Sequence, residues 1–242
     1  MTRSARFLAF PTLIALTIVS AAVACRILQA QDRHERFSPP RLATASDIVY
    51  PINSGAAGVV VVGVNLDRSG AIKSTVTLRD IPSLTSPVLL AIPKWTFKPA
   101  TLDGKGVAST IVVSVVFNPS DYRLTGAAAP ALGKELQIPS PGSEGFLPPK
   151  TTLASWAAYP INSVAQGAVI LNVLVNGQGA VRQATPVWGP SLGKTSTEAA
   201  LRWTFEPAQF DGAAISADAV VGYVYRPPNI AVPVAPYRRT PP

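Results

Sequence analysis

The chain has 242 residues, 48% of them hydrophobic and 14% charged; this excludes a wholly disordered protein and leaves room for one ordinary domain or two small ones. Its formal charge of +8 collects largely outside the regions that read as folded, at Arg3, Arg6, Arg26, Arg33, Arg36 and Arg41 before the first module and at Arg238 and Arg239 in a proline-rich tail. No basic stripe interleaved with aromatics remains for a nucleic acid, so nucleic acid is not an expected partner.

Arg3 and Arg6 precede an apolar run from Phe7 to Ala24, the layout of a secretory signal. Ala22-Val23-Ala24 is a small-x-small cleavage pattern, Cys25 after it gives a lipobox-like alternative, and the run is also about long enough for an uncleaved anchor. Residues 1–30 therefore read as a signal peptide or N-terminal membrane anchor, and each version puts the rest in the periplasm or cell envelope. Residues 31–44 read as a linker. Cys25 is the only cysteine, so the modules fold without an intramolecular disulfide.

The first module is expected over residues 45–119. Val59 to Leu66 is a β-branched run, Asp67-Arg68-Ser69-Gly70 a turn, and Ala71 to Leu78 a second strand, together a hairpin. Ser86-Pro87 predicts the start of a short helix through Ala91, which Pro93 limits. Trp95-Thr96-Phe97 leads into a Pro-Ala turn, and Val107 to Phe117 is the third strand.

After a Pro/Gly/Ala-rich linker over residues 120–150, the pattern returns over residues 151–228. Tyr50-Pro51-Ile52-Asn53-Ser54 recurs as Tyr159-Pro160-Ile161-Asn162-Ser163, and WTFKPATLDG from Trp95 as WTFEPAQFDG from Trp203. Strands are expected from Ala168 to Val175, Ala180 to Val187 and Ile215 to Tyr225, with a helix from Ser196 to Arg202. Residues 229–242 are a proline-rich tail. The fold class is thus α+β: two tandem ββαβ modules, each a small antiparallel three-stranded sheet with one helix packed on it. Such a sheet leaves an edge free.

The succession Tyr-Pro, hydrophobic strand, Asp/Asn-x-x-Gly hairpin, short helix, Trp-x-Phe-x-Pro-Ala, Asp-Gly and valine-rich strand resembles the TonB C-terminal domain family, in both modules. The resemblance implies a periplasmic domain whose last strand pairs with an extended peptide, such as the N-terminal segment of an outer-membrane transporter, by β-augmentation. The implied partner-binding edges are Ser109, Ile111, Val113, Val115 and Phe117 in the first module and Ala217, Ala219, Val221, Tyr223 and Tyr225 in the second. Two alternatives stand beside this reading: a true energy transducer coupled to an inner-membrane proton motor, and a structural envelope protein that self-associates through these edges as a homodimer. An energy transducer of this family carries a histidine in its membrane helix and a long spacer; here the apolar run has no histidine, and the roughly 25 residues between that run and Tyr50 reach only about 85 Å when extended.

Other patterns have simpler readings. Gly189-Pro190-Ser191-Leu192-Gly193 spells a nucleophile elbow, but the sole histidine, His34, lies upstream, and a helix start explains the motif. Gly193-Lys194-Thr195 ends a phosphate-loop pattern that is one residue too short. One histidine and one cysteine make no zinc centre, and Asp103 and Asp211 belong to Asp-Gly turns. No catalytic, cofactor or metal site is expected. Tyr50, Trp95, Phe97, Tyr159, Trp203 and Phe205 are expected to be structural.

Overall fold

Two long hairpins organise the chain, and their turns show why. The computed structural model describes residues 37–118, 145–160, 163 and 165–226; the apolar segment from Phe7 to Ala24, most of the central linker and the tail lie outside them. Strand β3 (Gly58–Leu66) runs into β4 (Ile72–Arg79) through Asp67, whose Oδ1 accepts the Ser69 N–H at 2.7 Å and the Ala71 N–H at 3.0 Å. Asn176 does the same between β11 (Gly167–Val175) and β12 (Val181–Trp188), accepting from Gln178 and Ala180. Gly70 and Gly179 close these turns at φ +86° and +81°, and a Cβ on either would strike the carbonyl oxygen of Phe97 or Phe205.

Each hairpin is followed by a helix and four further strands. In the first half these are α1 (Pro82–Ala91), a 3₁₀ turn at Ile92–Lys94, β5 (Thr96–Lys98), β6 (Ala100–Leu102), β7 (Lys105–Val107) and β8 (Ser109–Phe117). In the second they are a 3₁₀ turn at Pro190–Leu192, α2 (Gly193–Ala200), β13 (Thr204–Glu206), β14 (Ala208–Phe210), β15 (Ala213–Ile215) and β16 (Ala217–Tyr225). Asp103 and Asp211 take positive φ beside Gly104 and Gly212, the two-residue turn geometry that Asp-Gly favours.

Both helices start earlier than the sequence suggests. Helix α1 begins at Pro82 after the extended Ile81, and Thr85 Oγ1 both accepts the Ile81 N–H at 3.0 Å and donates to the Ile81 carbonyl at 3.2 Å. Pro82 supplies the preset φ of a first helical turn, so Ser86-Pro87 lies inside the helix instead of opening it. Helix α2 follows its 3₁₀ turn directly at Gly193, which makes Ser191 part of a helix entry. The segments read as linkers also carry strands: β1 (Phe37–Ser38) and β2 (Arg41–Thr44) in the first, β9 (Phe146–Leu147) and the start of β10 (Lys150–Leu153) in the second.

The separate three-stranded sheets are replaced by one six-stranded sheet of order β12-β11-β16-β8-β3-β4. Every neighbouring pair is antiparallel except the central one, where β16 and β8 run parallel from Val220↔Val113 to Val224↔Phe117. Each half would otherwise leave a row of unpaired backbone groups along an apolar strand, and joining the two rows satisfies both.

Both faces of its four central strands are buried. On one, Val60, Val62, Val64, Ile111, Val113 and Val115 pack with Leu84, Val88 and Ala91 of α1 and with Ile170 and Val220 from the second half. On the other, Leu171, Val173, Ala219, Val221 and Tyr223 pack with Ala199 and Ala200 of α2 and with Val59, Val61, Val112 and Val116 from the first. The halves therefore share their cores.

The N-terminal arms tighten this exchange. Strand β2 pairs with β5 of its own half, yet the Leu42 carbonyl accepts from Asn172 Nδ2 at 2.9 Å. Arg41 Nε lies 3.9 Å from Asp218 Oδ2. Reciprocally, β10 pairs with β13 while the Thr151 hydroxyl bonds Ser114 Oγ at 2.8 Å. Phe37 stacks on Phe210 with ring centroids 4.2 Å apart, sealing a third apolar cluster with Phe146.

Candidate functional site

Each half opens on a Tyr-Pro loop that its own side chains fasten. The Tyr50 hydroxyl donates to the Ala56 carbonyl, and Ser54 Oγ accepts the Ala56 N–H at 3.2 Å. Tyr159 donates to the Ala165 carbonyl at 2.8 Å, with Ser163 Oγ accepting the Ala165 N–H. Trp95, Phe97, Trp203 and Phe205 are buried with the two tyrosines. Trp203 Nε1–H donates to Tyr223 Oη at 2.7 Å, and the Tyr225 and Ser196 hydroxyls lie 2.7 Å apart. Burial pushes the phenols of Tyr223 and Tyr225 far above the usual tyrosine range.

The third strands are not free edges. Ser109, Ile111, Val113, Val115 and Phe117 sit on β8, paired with β3 along its length and with β16 from Val113 onward. Ala217, Ala219, Val221, Tyr223 and Tyr225 sit on β16, paired with β11 and, over Val220–Val224, with β8. The two strands expected to take up a partner take up each other.

The outer edges of the sheet are β4 and β12, and they differ. Thr77 on β4 stands opposite Val62; its repeat counterpart on β12 is Pro186, opposite Leu171, the counterpart of Val62. Proline has no N–H to offer a further strand and is a common guard of sheet edges. Strand β4 has no proline, and Lys73, Ser74, Thr75 and Thr77 are exposed. Reading the halves separately hides this difference, although Pro186 within VRQATPVW is visible in the sequence.

The seam between the halves holds a cleft of about 510 Å³ lined by Asp47, Tyr50, Gln166, Gly167, Tyr225 and Arg226 among others. Asp47 Oδ1 accepts the Ala168 N–H at 2.7 Å. The Arg226 guanidinium lies 4.5 Å from the Tyr50 ring centroid and donates to the Ser54 carbonyl at 2.6 Å. Val49 and Ile52, 66% and 95% exposed, flank the mouth. Asp47 and Arg226 carry no motif that marks them in the sequence; they lie far apart along the chain and line one cleft only through the shared sheet.

No group of three or more metal-ligating side chains is found among the described residues, and none of their helices is long and apolar enough to cross a membrane. No curated protein and no solved structure matches the chain. Residues 49–119, from the Tyr-Pro loop to the end of β8, match the family model described as Gram-negative bacterial TonB protein C-terminal. That family is one of protein-interaction domains, not enzymes, in envelope transport. Residues 49–119 of this chain are accordingly similar to the TonB C-terminal family.

Proposed function

We propose that the protein is a cell-envelope adaptor that adds an extended peptide, the N-terminal segment of an outer-membrane transporter, to its sheet at the β4 edge. The observation that carries this reading is the asymmetry of the edges, open at Thr77 and interrupted at Pro186. An added strand draws affinity from backbone hydrogen bonds and specificity from alternate side chains. The second half then acts as a structural counterpart that occupies β8. One register of self-pairing at this edge is disfavoured. Antiparallel pairing of two β4 strands centred on Val76 sets Lys73 opposite Arg79, and like charges directly opposed are unfavourable.

A role as energy transducer would require coupling to a proton-driven motor through the N-terminal segment, which lies outside the described residues. In-cell photo-crosslinking from Thr75 and Thr77, against Ser114 on β8 as the internal reference, tests the proposal. Crosslinks from β4 to the N-terminal segment of an outer-membrane barrel, lost in Thr77→Pro, support it. Crosslinks from Ser114 with none from β4 would mean that the halves part and that the peptide enters at β8.

A further inference from the structure

The seam cleft has a counterpart, and the comparison of the two says what the open one accepts. The repeat carries Asp47 onto Trp156, Tyr50 onto Tyr159, Gly167 onto Gly58 and Arg226 onto Asn118. At the second seam the Trp156 side chain is buried in a core with Tyr159, Val59 and the partly buried Ala57. Asn118 Oδ1 accepts the Ala157 N–H there at 3.1 Å, fixing the backbone beside the indole. At the first seam the same position holds the short, exposed side chain of Asp47, and the described residues leave the space open.

We infer that the cleft at Asp47, Tyr50 and Arg226 is a binding site for a tryptophan side chain of a partner polypeptide, taking from outside what Trp156 supplies from within at the second seam. The chemistry of the walls fits an indole. The Asp47 carboxylate keeps acceptor capacity beyond its bond from Ala168, enough for an indole N–H. Arg226, held against Tyr50 and the Ser54 carbonyl, presents a fixed cation beside which an aromatic face is favourable. The cleft volume lies within the range of ligand sites. Ile52 is the apolar letter of Tyr-Pro-Ile-Asn-Ser that the fold leaves to solvent, and with Val49 it gives neighbouring partner residues an apolar rim. This site is separate from the β4 edge, so each stands or falls alone.

The test is an amide NMR titration of the full chain with acetylated and amidated Gly-Trp-Gly, using Gly-Ala-Gly in the same form as control. Saturable shifts of the Ile52, Gln166 and Gly167 amides are expected with the tryptophan peptide only. Asp47→Trp fills the cleft from within and is expected to weaken binding by about tenfold or more. Should that variant lose its folded spectrum, Ile52→Asp, at a solvent-facing position, is expected to weaken binding about threefold. Absence of saturable shifts, equal shifts with the alanine peptide, or undiminished affinity in a folded variant would overturn the assignment.

Discussion

Val113 lies beside Val220 in the parallel pair at the centre of the sheet, one residue short of its own repeat counterpart, Val221. Because strand side chains alternate between faces, this offset sends Val113 to one face and Val221 to the other. The duplicated halves thus meet with opposite faces exchanged, α1 covers one side of the sheet and α2 the other, and neither half owns a complete core.

The first consequence concerns separate halves. A fragment of residues 37–118 would uncover the β8 edge together with Val59, Val61, Val112 and Val116. It is expected to run as a dimer or larger species in size-exclusion chromatography with light scattering, and to melt well below the full chain. A monomeric fragment as stable as the full chain would show that the shared core contributes little.

A second prediction tests the packing at the central pair. Gly222 stands beside Val115, and a Cβ there would sit 3.1 Å from Ile170 Cδ1 and 3.2 Å from Val115 Cγ2. Gly222→Val overfills this contact and is expected to cost about 1–3 kcal/mol, read as a lower denaturation midpoint with an unchanged slope.

The residues show which parts of this arrangement could be read in advance. Hairpins, Asp-Gly turns and buried aromatics rest on contacts close in sequence, and the letters that make them stand side by side. The joined sheet rests on contacts between halves, yet it left one trace. Val59 to Val62 and Ile111 to Val116 are almost continuous apolar runs, whereas a strand with one face in water alternates. Strand β4, with Lys73, Ser74 and Thr75, shows the polar content of an edge. Those two patterns already place β8 inside a sheet and β4 at its border. The seam cleft left no such trace, because Asp47 and Arg226 are brought together only by the parallel pairing.

Asp67 gives the acid-side prediction. Hydrogen bonds from the Ser69 hydroxyl and the Ser69 backbone N–H hold its carboxyl below the usual carboxylate range. A depressed carboxylate contributes stability above its unfolded pKa of about 4 and loses it as pH falls through the folded value. Asp67→Asn, the side chain that already serves this turn as Asn176, is expected to keep the hairpin. It should also remove part of the stability lost below about pH 4. Parallel melts of both proteins from neutral to acid pH would show an unchanged difference if Asp67 has no such role.

On the alkaline side Tyr223 and Tyr225 govern. Burial raises both phenols above their unfolded value of about 10. An acid whose pKa is raised by folding stabilises the fold below the unfolded value and costs stability as pH climbs beyond it. Tyrosinate absorbance should therefore show a fraction that ionises only with cooperative unfolding above about pH 10. Replacing Tyr225 by Phe should shrink that fraction while leaving the Ser196 hydroxyl its bond to the Leu192 carbonyl.

The last prediction contrasts two prolines. Proline at Val113 or Val221 would be harmless to the fold if β8 and β16 were edges. In the joined sheet both strands have neighbours on each side, so Val113→Pro removes a donor from the interior and is expected to abolish cooperative folding. Thr77→Pro is expected to behave differently, because Pro186 occupies the counterpart position and β12 still pairs with β11 through Val175↔Val181. Its cost should stay near or below about 1 kcal/mol, the centre of the range for single substitutions. Thermal melts of the two variants separate the cases, and a Thr77→Pro protein that unfolds like Val113→Pro would mean that β4 is not the border of the sheet.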